Sequence, residues 1–322
     1  METKLNASLM NNEVLITGTT GFVGSNLVPF LKNEFGYSIV EVNRNENGNV
    51  GEAISYDRLF TSDENGYLNY IHLAGKAHDL KNTSDDSEYF KVNYELTKKL
   101  FDHFLEDKEA QIFIFISSVK AVADEVQGEL TEGHKPHPIT AYGRSKLKAE
   151  KYILDNLPDD RTVVILRPCM IHGPGNKGNL NLLHSIISKG IPWPLGAYDN
   201  SRSFMSIENL CFIIKMILEG KVPSGVYNVA DDGALSTKEL VSIISEVCSK
   251  QPRIWNLPKL LIQMIAKAGN VFPLPLNEEQ LEKLTENFLV SNEKIKKALG
   301  IEHMPVSAKE GMIKTLQDFE AS

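Results

Sequence analysis

Cysteine is scarce in this chain of 322 residues and occurs only at Cys169, Cys211 and Cys248. Three scattered thiols form neither a disulfide framework nor a paired Cys-x-x-Cys metal site. We therefore expect them to be small core residues of a protein in a reducing compartment.

Long apolar runs are also missing. No stretch reaches the ~18 to 20 residues needed to cross a bilayer, and the first residues lack the apolar core of a signal peptide. The nearest approach, residues 257–272, is interrupted by Lys259, Gln263 and Lys267 at four-residue steps. This spacing predicts an amphipathic helix, which we interpret as covering a domain in preference to lying on a membrane. The cytoplasm is the expected location.

Positive charge is in deficit, since the formal net charge is −8 and the pI is near 5.6. Basic residues form no run, so we expect no nucleic-acid partner. With 42% hydrophobic and 24% charged residues, the chain can bury a substantial core, arranged as one large domain or two smaller ones.

What the first half does contain is an alternation of strand and helix patterns. Near-continuous apolar strands separated by helices imply a parallel sheet covered on both faces. The sequence therefore predicts an α/β fold of the doubly wound, Rossmann type. The predicted strands are residues 13–18, 37–44, 67–75, 111–118 and 161–168.

The texture changes after about residue 170, where long loops rich in Gly, Pro and Asn appear. We predict a dinucleotide-binding domain over residues 1–172, to which 203–231 returns. Residues 173–202 and 232–322 are expected to form a smaller, mostly helical substrate-binding part.

Gly18, Gly21 and Gly24 stand at three-residue intervals between the first strand and a helix. Glycines there let backbone N–H groups approach a pyrophosphate at a helix N-terminus, so we predict dinucleotide binding. Pro29 lies about two turns into the helix, where proline costs ~3 kcal/mol unless the helix bends.

The end of the second strand reads Val42-Asn43-Arg44, without the carboxylate that would favour NAD. Arg44 could pair with a 2′-phosphate, which favours NADP, although a plain surface arginine is the alternative. By strand alternation we expect Glu41 to face the wrong side.

Six motifs occur in an order that resembles the extended short-chain dehydrogenase/reductase family, also called the NAD-dependent epimerase/dehydratase family. They are the glycine motif, HLAG at 72–75, Asn93, ISSVKAV at 116–122, YGRSK at 142–146 and LRP at 166–168. The resemblance covers nearly the whole chain. The second half is most similar to the branch that reduces UDP-4-keto-6-deoxy-N-acetylhexosamines in bacterial polysaccharide assembly, with UDP-hexose 4-epimerases as near neighbours.

The resemblance implies that Tyr142 is the general acid or base and that Lys146 lowers its pKa while holding the nicotinamide ribose. A free tyrosine has a pKa of ~10, so a nearby ammonium would be needed to bring it toward neutrality. By position Ser118 takes the catalytic serine role, and Ser117, facing the opposite way, supports the backbone. Further positions that the resemblance assigns to the cofactor are Phe22, Val23, Leu73, Ala74, Gly75, Asn93, Lys146 and Pro168.

Substrate contacts expected from the resemblance are Arg202 and Asn179 at the diphosphate. Lys76 and His78 follow at the mouth of the cleft, where His78 could equally be solvated; for Arg202 a structural salt bridge is the alternative. Ser118 would also touch the sugar.

The remaining histidines are expected to be structural. His72 lies within a strand and is interpreted as a core residue, and His134, His137 and His184 lack partners at metal-ligand spacing, so no metal site is predicted.

Two departures from the family pattern put the identity of the substrate in doubt. VADE at 122–125 replaces a Tyr-Gly pair, and His172 stands where relatives carry tyrosine. Both are expected at the rim of the site.

The reading that follows is a reductase that delivers a hydride from NAD(P)H to C4 of a UDP-4-keto sugar, with NADP preferred. The alternative is a 4-epimerase that retains NAD, and a non-catalytic dinucleotide-binding protein is a minor third. The family implies a homodimer.

Overall fold

The computed structural model describes residues 13–44, 52–61, 65–76, 85–176, 178–270 and 276–321. Within them eleven strands follow one another along the chain. These are β1 (Glu13–Thr17), β2 (Ser38–Asn43), β3 (Glu52–Ser55), β4 (Asn69–His72), β5 (Ile112–Ile116), β6 (Glu129–Leu130), β7 (Thr162–Pro168), β8 (Met170–His172), β9 (Phe204–Ser206), β10 (Gly225–Val229) and β11 (Leu289–Val290).

Seven of these strands form one parallel sheet in the order β3-β2-β1-β4-β5-β7-β10. The order reverses between β1 and β4, because β2 and β3 lie on one side of β1 and the later strands on the other. In open α/β sheets ligands bind at the carboxyl ends of the strands beside such a reversal. The predicted doubly wound fold is confirmed.

Twelve α-helices of the described residues cover this sheet and build the second part of the chain. They are α1 (Phe22–Pro29), α2 (Tyr56–Thr61), α3 (Asp86–Phe90), α4 (Leu96–Glu106), α5 (Ala141–Asp155), α6 (Asn179–Ser188), α7 (Ile207–Leu218), α8 (Thr237–Val247), α9 (Lys259–Gly269), α10 (Glu278–Thr285), α11 (Glu293–Leu299) and α12 (Ala308–Ala321).

The sheet is buried on both faces, as its continuous apolar strands predict. Along β1, Val14 and Ile16 join a core that includes Leu210 of α7, whereas Leu15 joins the opposite core with Phe101 and Phe104 of α4. Each face therefore has its own layer of helices.

Pro29 ends α1, and the chain continues directly into a π-helical turn over Phe30–Glu34. Proline lacks the N–H that an α-helix requires at that position. The wider turn is how the helix accommodates it, so the expected distortion is present as a change of helix type.

A third core belongs to the C-terminal part, where Leu180, Phe204, Val241 and Met312 pack together. Strand β10 then returns to the edge of the large sheet beside β7. The domain boundaries given above stay a prediction.

Helix α9 differs from expectation. Ile262 and Ala266 are buried in the third core, as a covering helix requires, but Leu260, Met264 and Ile265 are exposed. The interpretation as a simple cover therefore explains only one of its two apolar faces. No helix among the described residues is long and apolar enough to cross a membrane.

Candidate active site

The glycine loop joins β1 to α1 at the point where the strand order reverses. Gly18 has a φ of +74°, and a Cβ there would lie 2.6 Å from the backbone nitrogen of Ala74. A Cβ on Gly24 would lie 2.5 Å from the Gly18 carbonyl oxygen. Both positions accept only glycine, and the loop closes through a 3.1 Å hydrogen bond from the Gly21 N–H to the Gly18 carbonyl. This geometry suits close backbone approach by a pyrophosphate.

The other residues predicted to hold the cofactor gather around this loop at the carboxyl edge of the sheet. Phe22 and Val23 open α1, Arg44 follows β2 and is exposed, and Pro168 ends β7 and is buried. The turn after β4 supplies Leu73, Ala74 and Gly75, and the Leu73 N–H donates to the Thr17 carbonyl at 3.2 Å.

The end of β2 corrects one prediction. Glu41 is fully buried, and its carboxylate accepts a 2.6 Å hydrogen bond from the hydroxyl of Thr19 in the glycine loop. Glu41 therefore faces the loop, on the same side of the strand as Asn43. Residues two apart on a strand share a face, so alternation itself holds here, and the error lay in the position taken as the reference for the loop side. The Asn43 Nδ2 is also buried and has no hydrogen-bond partner among the described residues.

His72 lies at the end of β4 and is fully buried, as predicted. Its Nδ1 is 2.7 Å from the Thr17 hydroxyl and its Nε2 is 2.9 Å from the Thr97 hydroxyl. Burial, with Lys146 adding repulsion, lowers its pKa to about 3, so the ring is neutral and structural.

Ser118 follows β5 and meets Tyr142 from the first turn of α5. The Ser118 hydroxyl accepts a 3.2 Å hydrogen bond from the Lys120 N–H and is also hydrogen-bonded to the phenol of Tyr142. Burial raises the pKa of Tyr142, the bond with Ser118 opposes that rise, and Tyr89, whose ring lies 6.3 Å away edge-on, adds to it. The expected lowering by Lys146 is therefore not what governs this phenol in the chain itself.

Lys146 is one turn further along α5 and is 4% exposed. Its ammonium donates to the Ile116 carbonyl at 2.8 Å, and burial lowers its pKa to about 8, against a weaker opposite effect of Glu150. A Cβ on Gly75 would lie 3.1 Å from the Lys146 Nζ. The lysine therefore stands between β5, which Ser118 follows, and the turn after β4, next to the predicted cofactor site.

Asn93 is fully buried in a π-helical turn, Lys91–Glu95, between α3 and α4. Its side chain accepts from the Lys76 N–H at 2.7 Å, and its Nδ2 donates to the Lys76 carbonyl at 3.1 Å and to the Ser145 hydroxyl at 3.0 Å. Asn93 thus ties the turn after β4 to the helix that carries Tyr142 and Lys146. A π turn redirects one side chain out of the helical register, which is frequent at functional sites.

Ser117 points away from Ser118, as strand alternation predicts, but its role differs from the one expected. Its hydroxyl donates to the carboxylate of Glu150, which forms a buried bidentate pair with Arg167. Ser117 therefore connects the end of β5 to α5 through the side chain of Glu150.

The segment VADE at 122–125 also supports α5. The Asp124 carboxylate accepts from the Ile139 N–H at 2.7 Å and from the Thr140 hydroxyl at 3.3 Å, and Thr140 caps the helix. The departure from the family pattern at this point thus fixes the start of the helix that positions Tyr142.

The predicted diphosphate contact, Arg202, lies opposite in the C-terminal part. Its guanidinium forms an ion pair with Glu286, while its Nε is buried and has no hydrogen-bond partner among the described residues. Lys120 is close enough to Arg202 and Glu286 to interact with both charges. Burial lowers the pKa of Lys120, Arg202 lowers it further and Glu286 raises it. The Lys120 ammonium lies 4.8 Å from the centre of the Phe288 ring. Sequence reasoning missed Glu286, which is 84 residues from Arg202, and Lys120, whose only sequence signal is its position two residues after Ser118.

The other predicted substrate contacts are placed less completely. Lys76 pairs with Glu88 and lies 5.5 Å from the Tyr89 ring centre. Asn179 begins α6, but its side chain lies outside the described residues, as does the whole of His78.

The expectation that His172 lies at the rim is wrong, whereas the prediction of no metal site stays a prediction. His172 is not at the rim: it is fully buried, and its Nδ1 lies 2.9 Å from the hydroxyl of Thr315 in α12. His184 does have potential ligand partners, because it lies with Cys248 and Glu320 in a group whose ligand atoms are all within 4.8 Å of one another. Its Nε2 is 2.9 Å from the Glu320 carboxylate. These partners come from distant parts of the chain, so no sequence spacing reveals them.

The sequence matches the model of the NAD dependent epimerase/dehydratase family over residues 14–230. The chain belongs to this family. It is 32% identical to a UDP-glucose 4-epimerase of Vibrio cholerae, with 96% of each chain covered. It is 28% identical to an N-acetyl-alpha-D-glucosaminyl-diphospho-ditrans,octacis-undecaprenol 4-epimerase of Escherichia coli O157:H7, covering 89% of this chain and 86% of the relative.

Among solved structures, the UDP-N-acetylglucosamine 4-epimerase of Bacillus cereus superposes with a TM-score of 0.73 at 20% identity, covering 96% and 98% of the two chains. This likeness shows the fold. The predicted family is confirmed, and the protein is an NAD-dependent enzyme of the epimerase/dehydratase type. The roles of the individual site residues stay predictions.

Proposed function

We propose that this enzyme is a 4-epimerase of a diphosphate-linked sugar, with UDP-hexose or UDP-N-acetylhexosamine as the first substrate class. The observation that carries the proposal is the Ser118–Tyr142–Lys146 group at the carboxyl end of β5, in a chain similar over nearly its full length to a 4-epimerase. A role in surface polysaccharide synthesis and a homodimeric state are part of the proposal.

The residues of the chain would divide the work at the sugar C4 position. The Ser118 hydroxyl holds the C4 oxygen and Tyr142 moves its proton, while Lys146 orients the cofactor ribose. When bound, the nicotinamide dinucleotide supplies the hydride acceptor and donor. Its fit rests on the Gly18 and Gly24 cradle and on the buried, unpartnered Nδ2 of Asn43.

The end of β2 favours NAD over the NADP preferred on sequence grounds. The Glu41 carboxylate lies behind Thr19, on the loop side of the strand, where it would repel a 2′-phosphate. Arg44 is exposed and remains the counter-argument. An epimerase gains from NAD that stays bound, so this feature supports epimerisation.

The reductase predicted from the sequence is the second candidate. The same three catalytic residues would protonate a ketone oxygen in a UDP-4-keto-6-deoxy-N-acetylhexosamine, and the chain is also 24% identical to a GDP-6-deoxy-D-mannose reductase of Pseudomonas aeruginosa. The two candidates differ in whether the cofactor leaves after each turnover.

The deciding experiment is to denature the purified enzyme and identify any released nucleotide by chromatography. We expect nearly one NAD⁺ per chain, followed by interconversion of C4 epimers when UDP-N-acetylglucosamine or UDP-glucose is added without further cofactor. An empty protein that binds NADPH more tightly than NADH, and turns over only a 4-keto sugar, would establish the reductase instead.

Arg202 offers a second test. Replacing Arg202 by glutamine should raise the KM for the sugar diphosphate about 10- to 100-fold, since a hydrogen bond to a charged group contributes about 1.5–3 kcal/mol. The kcat should change much less, because the diphosphate is remote from C4. Arg202→Lys keeps the charge but loses the planar fork, so its KM should lie between those of the wild type and the glutamine variant. An unchanged KM in both variants would leave Arg202 as a structural partner of Glu286.

A further inference from the structure

Helix α9 and Trp255, four residues before it, present five exposed apolar side chains, which we call the α9 surface. Its members are Trp255 (55% exposed), Leu260 (70%), Leu261 (45%), Met264 (61%) and Ile265 (38%). Single exposed apolar residues are normal on proteins, but large side chains grouped on one short helix mark an interaction surface.

Helix α9 has two apolar faces, one buried and one exposed, and a polar edge between them. At 100° per residue, Ile262 and Ala266 point into the core of the C-terminal part, and the exposed apolar residues of α9 occupy the opposite side. Lys259, Gln263 and Lys267 form a polar row along one edge between them. A helix that lies in the plane of a membrane has this composition: an apolar face, a lysine-bearing edge and a tryptophan nearby.

Charge is concentrated on the same segment. Residues 247–277 contain no Asp or Glu and carry Lys250, Arg253, Lys259 and Lys267, in a chain whose net charge is −8. Acidic residues border this segment, since Glu278 and Glu279 follow it and Asp199 attracts Lys259. Such a cationic segment in an acidic protein complements anionic lipid headgroups.

The surface is already formed in the folded chain. Trp255 exchanges backbone hydrogen bonds with the strand-like segment at Trp193, donating to the Trp193 carbonyl at 2.8 Å, and its own carbonyl accepts from the Gly196 N–H at 3.0 Å. Buried Ile262 and Ala266 hold α9 against the core. Docking would therefore require no folding step, which lowers its entropic cost.

We propose that the α9 surface docks this enzyme onto an anionic lipid bilayer. A second copy of the chain is a poorer occupant, because a two-fold contact would bring the cationic segment against itself. The α9 surface belongs to the part of the chain that carries Arg202 and Glu286, so docking would hold the substrate-binding part near the membrane. The inference does not depend on whether the reaction is epimerisation or reduction.

The test is flotation of the full-length enzyme with vesicles of phosphatidylcholine, alone and mixed with phosphatidylglycerol. We expect the enzyme to float with the mixed vesicles and much less with phosphatidylcholine alone. Replacing Leu260 and Met264 together by glutamine should weaken binding about tenfold, by removing buried apolar area. Lys259→Gln and Lys267→Gln should each weaken binding about fivefold, and only to the anionic vesicles.

The matched control replaces Leu154 and Leu157, two exposed leucines of the other part of the chain, by glutamine and should bind as the wild type does. Failure to float with either vesicle, or equal flotation of the Leu260/Met264 variant, would overturn the proposal. A change of sedimentation coefficient in that variant without any vesicle binding would assign the α9 surface to a protein contact instead.

Discussion

Replacing Tyr142 by phenylalanine should lower kcat about 100- to 10,000-fold, the range in which positioned general acids and bases contribute. The phenol is the group that the structure places against the Ser118 hydroxyl, with Lys146 one helical turn away. Phenylalanine keeps the ring, including its edge-on contact with Tyr89, and removes only the phenolic oxygen, which we propose exchanges the proton. The loss should therefore appear in kcat.

Folding and cofactor retention should survive the change. Losing the hydrogen bond to Ser118 costs about 1 kcal/mol of folding stability, and this loss is offset because the variant no longer buries a polar hydroxyl. The matched control is Tyr152→Phe on the same helix, whose hydroxyl bonds to Asp102 at the surface; it should retain activity. A Tyr142→Phe enzyme within about tenfold of the wild-type kcat would remove Tyr142 from the reaction.

The parts of the site that sequence analysis located are those carried by contiguous motifs. Gly18 and Gly24 can be recognised because a strand and a helix flank them, and the structure shows what they exclude: a Cβ at either position meets backbone within 2.6 Å. The spacing of Tyr142 and Lys146 likewise follows from one helix. Local sequence determines these geometries, so a single chain without relatives is sufficient.

What sequence analysis missed depends on contacts between distant segments. Glu286 reaches Arg202 only because the segment after α10 pairs with the loop before β9, and His184 meets Glu320 only because α6 and α12 both pack against α8. Glu41 is a different kind of error. Alternation correctly puts Glu41 and Asn43 on one face of β2, but which face meets the glycine loop is known only from the contact between Glu41 and Thr19.

Helix α9 shows the limit of periodicity. The pattern correctly predicts an amphipathic helix, but periodicity records that a face is apolar and not what covers it. Ile262 is buried by the protein itself, whereas Leu260, one half-turn away, remains 70% exposed. Only the tertiary structure separates these two kinds of apolar face.

Replacing Lys146 by methionine should abolish turnover and at the same time stabilise the fold. Burial lowers the pKa of Lys146 from its ordinary value of 10.5 to about 8, so this lysine binds its proton less tightly in the folded chain than in the unfolded chain. That difference corresponds to roughly 3 kcal/mol of lost stability at neutral pH. Losing the hydrogen bond to the Ile116 carbonyl takes back about 1 kcal/mol, which leaves a net gain of about 2 kcal/mol for methionine.

The pH dependence identifies the cause. Below pH 8 the lysine is charged in both the folded and the unfolded chain, so the penalty is complete and the methionine variant should show its full advantage. Between pH 8 and 10.5 the folded chain releases the proton first, so the advantage should shrink with rising pH. Above pH 10.5 only the lost hydrogen bond counts, and the variant should be about 1 kcal/mol less stable than the wild type. Urea unfolding of the cofactor-free enzyme at pH 7 and near pH 10 measures this, with Lys151→Met, an exposed position on the same helix, as the control that should be nearly neutral at both. If the methionine variant is less stable than the wild type at pH 7, the favourable interactions of the buried ammonium outweigh the cost of its desolvation. The expected result, an inactive but more stable enzyme, would show that the fold gives up stability to keep a cation beside Gly75, next to the predicted cofactor site.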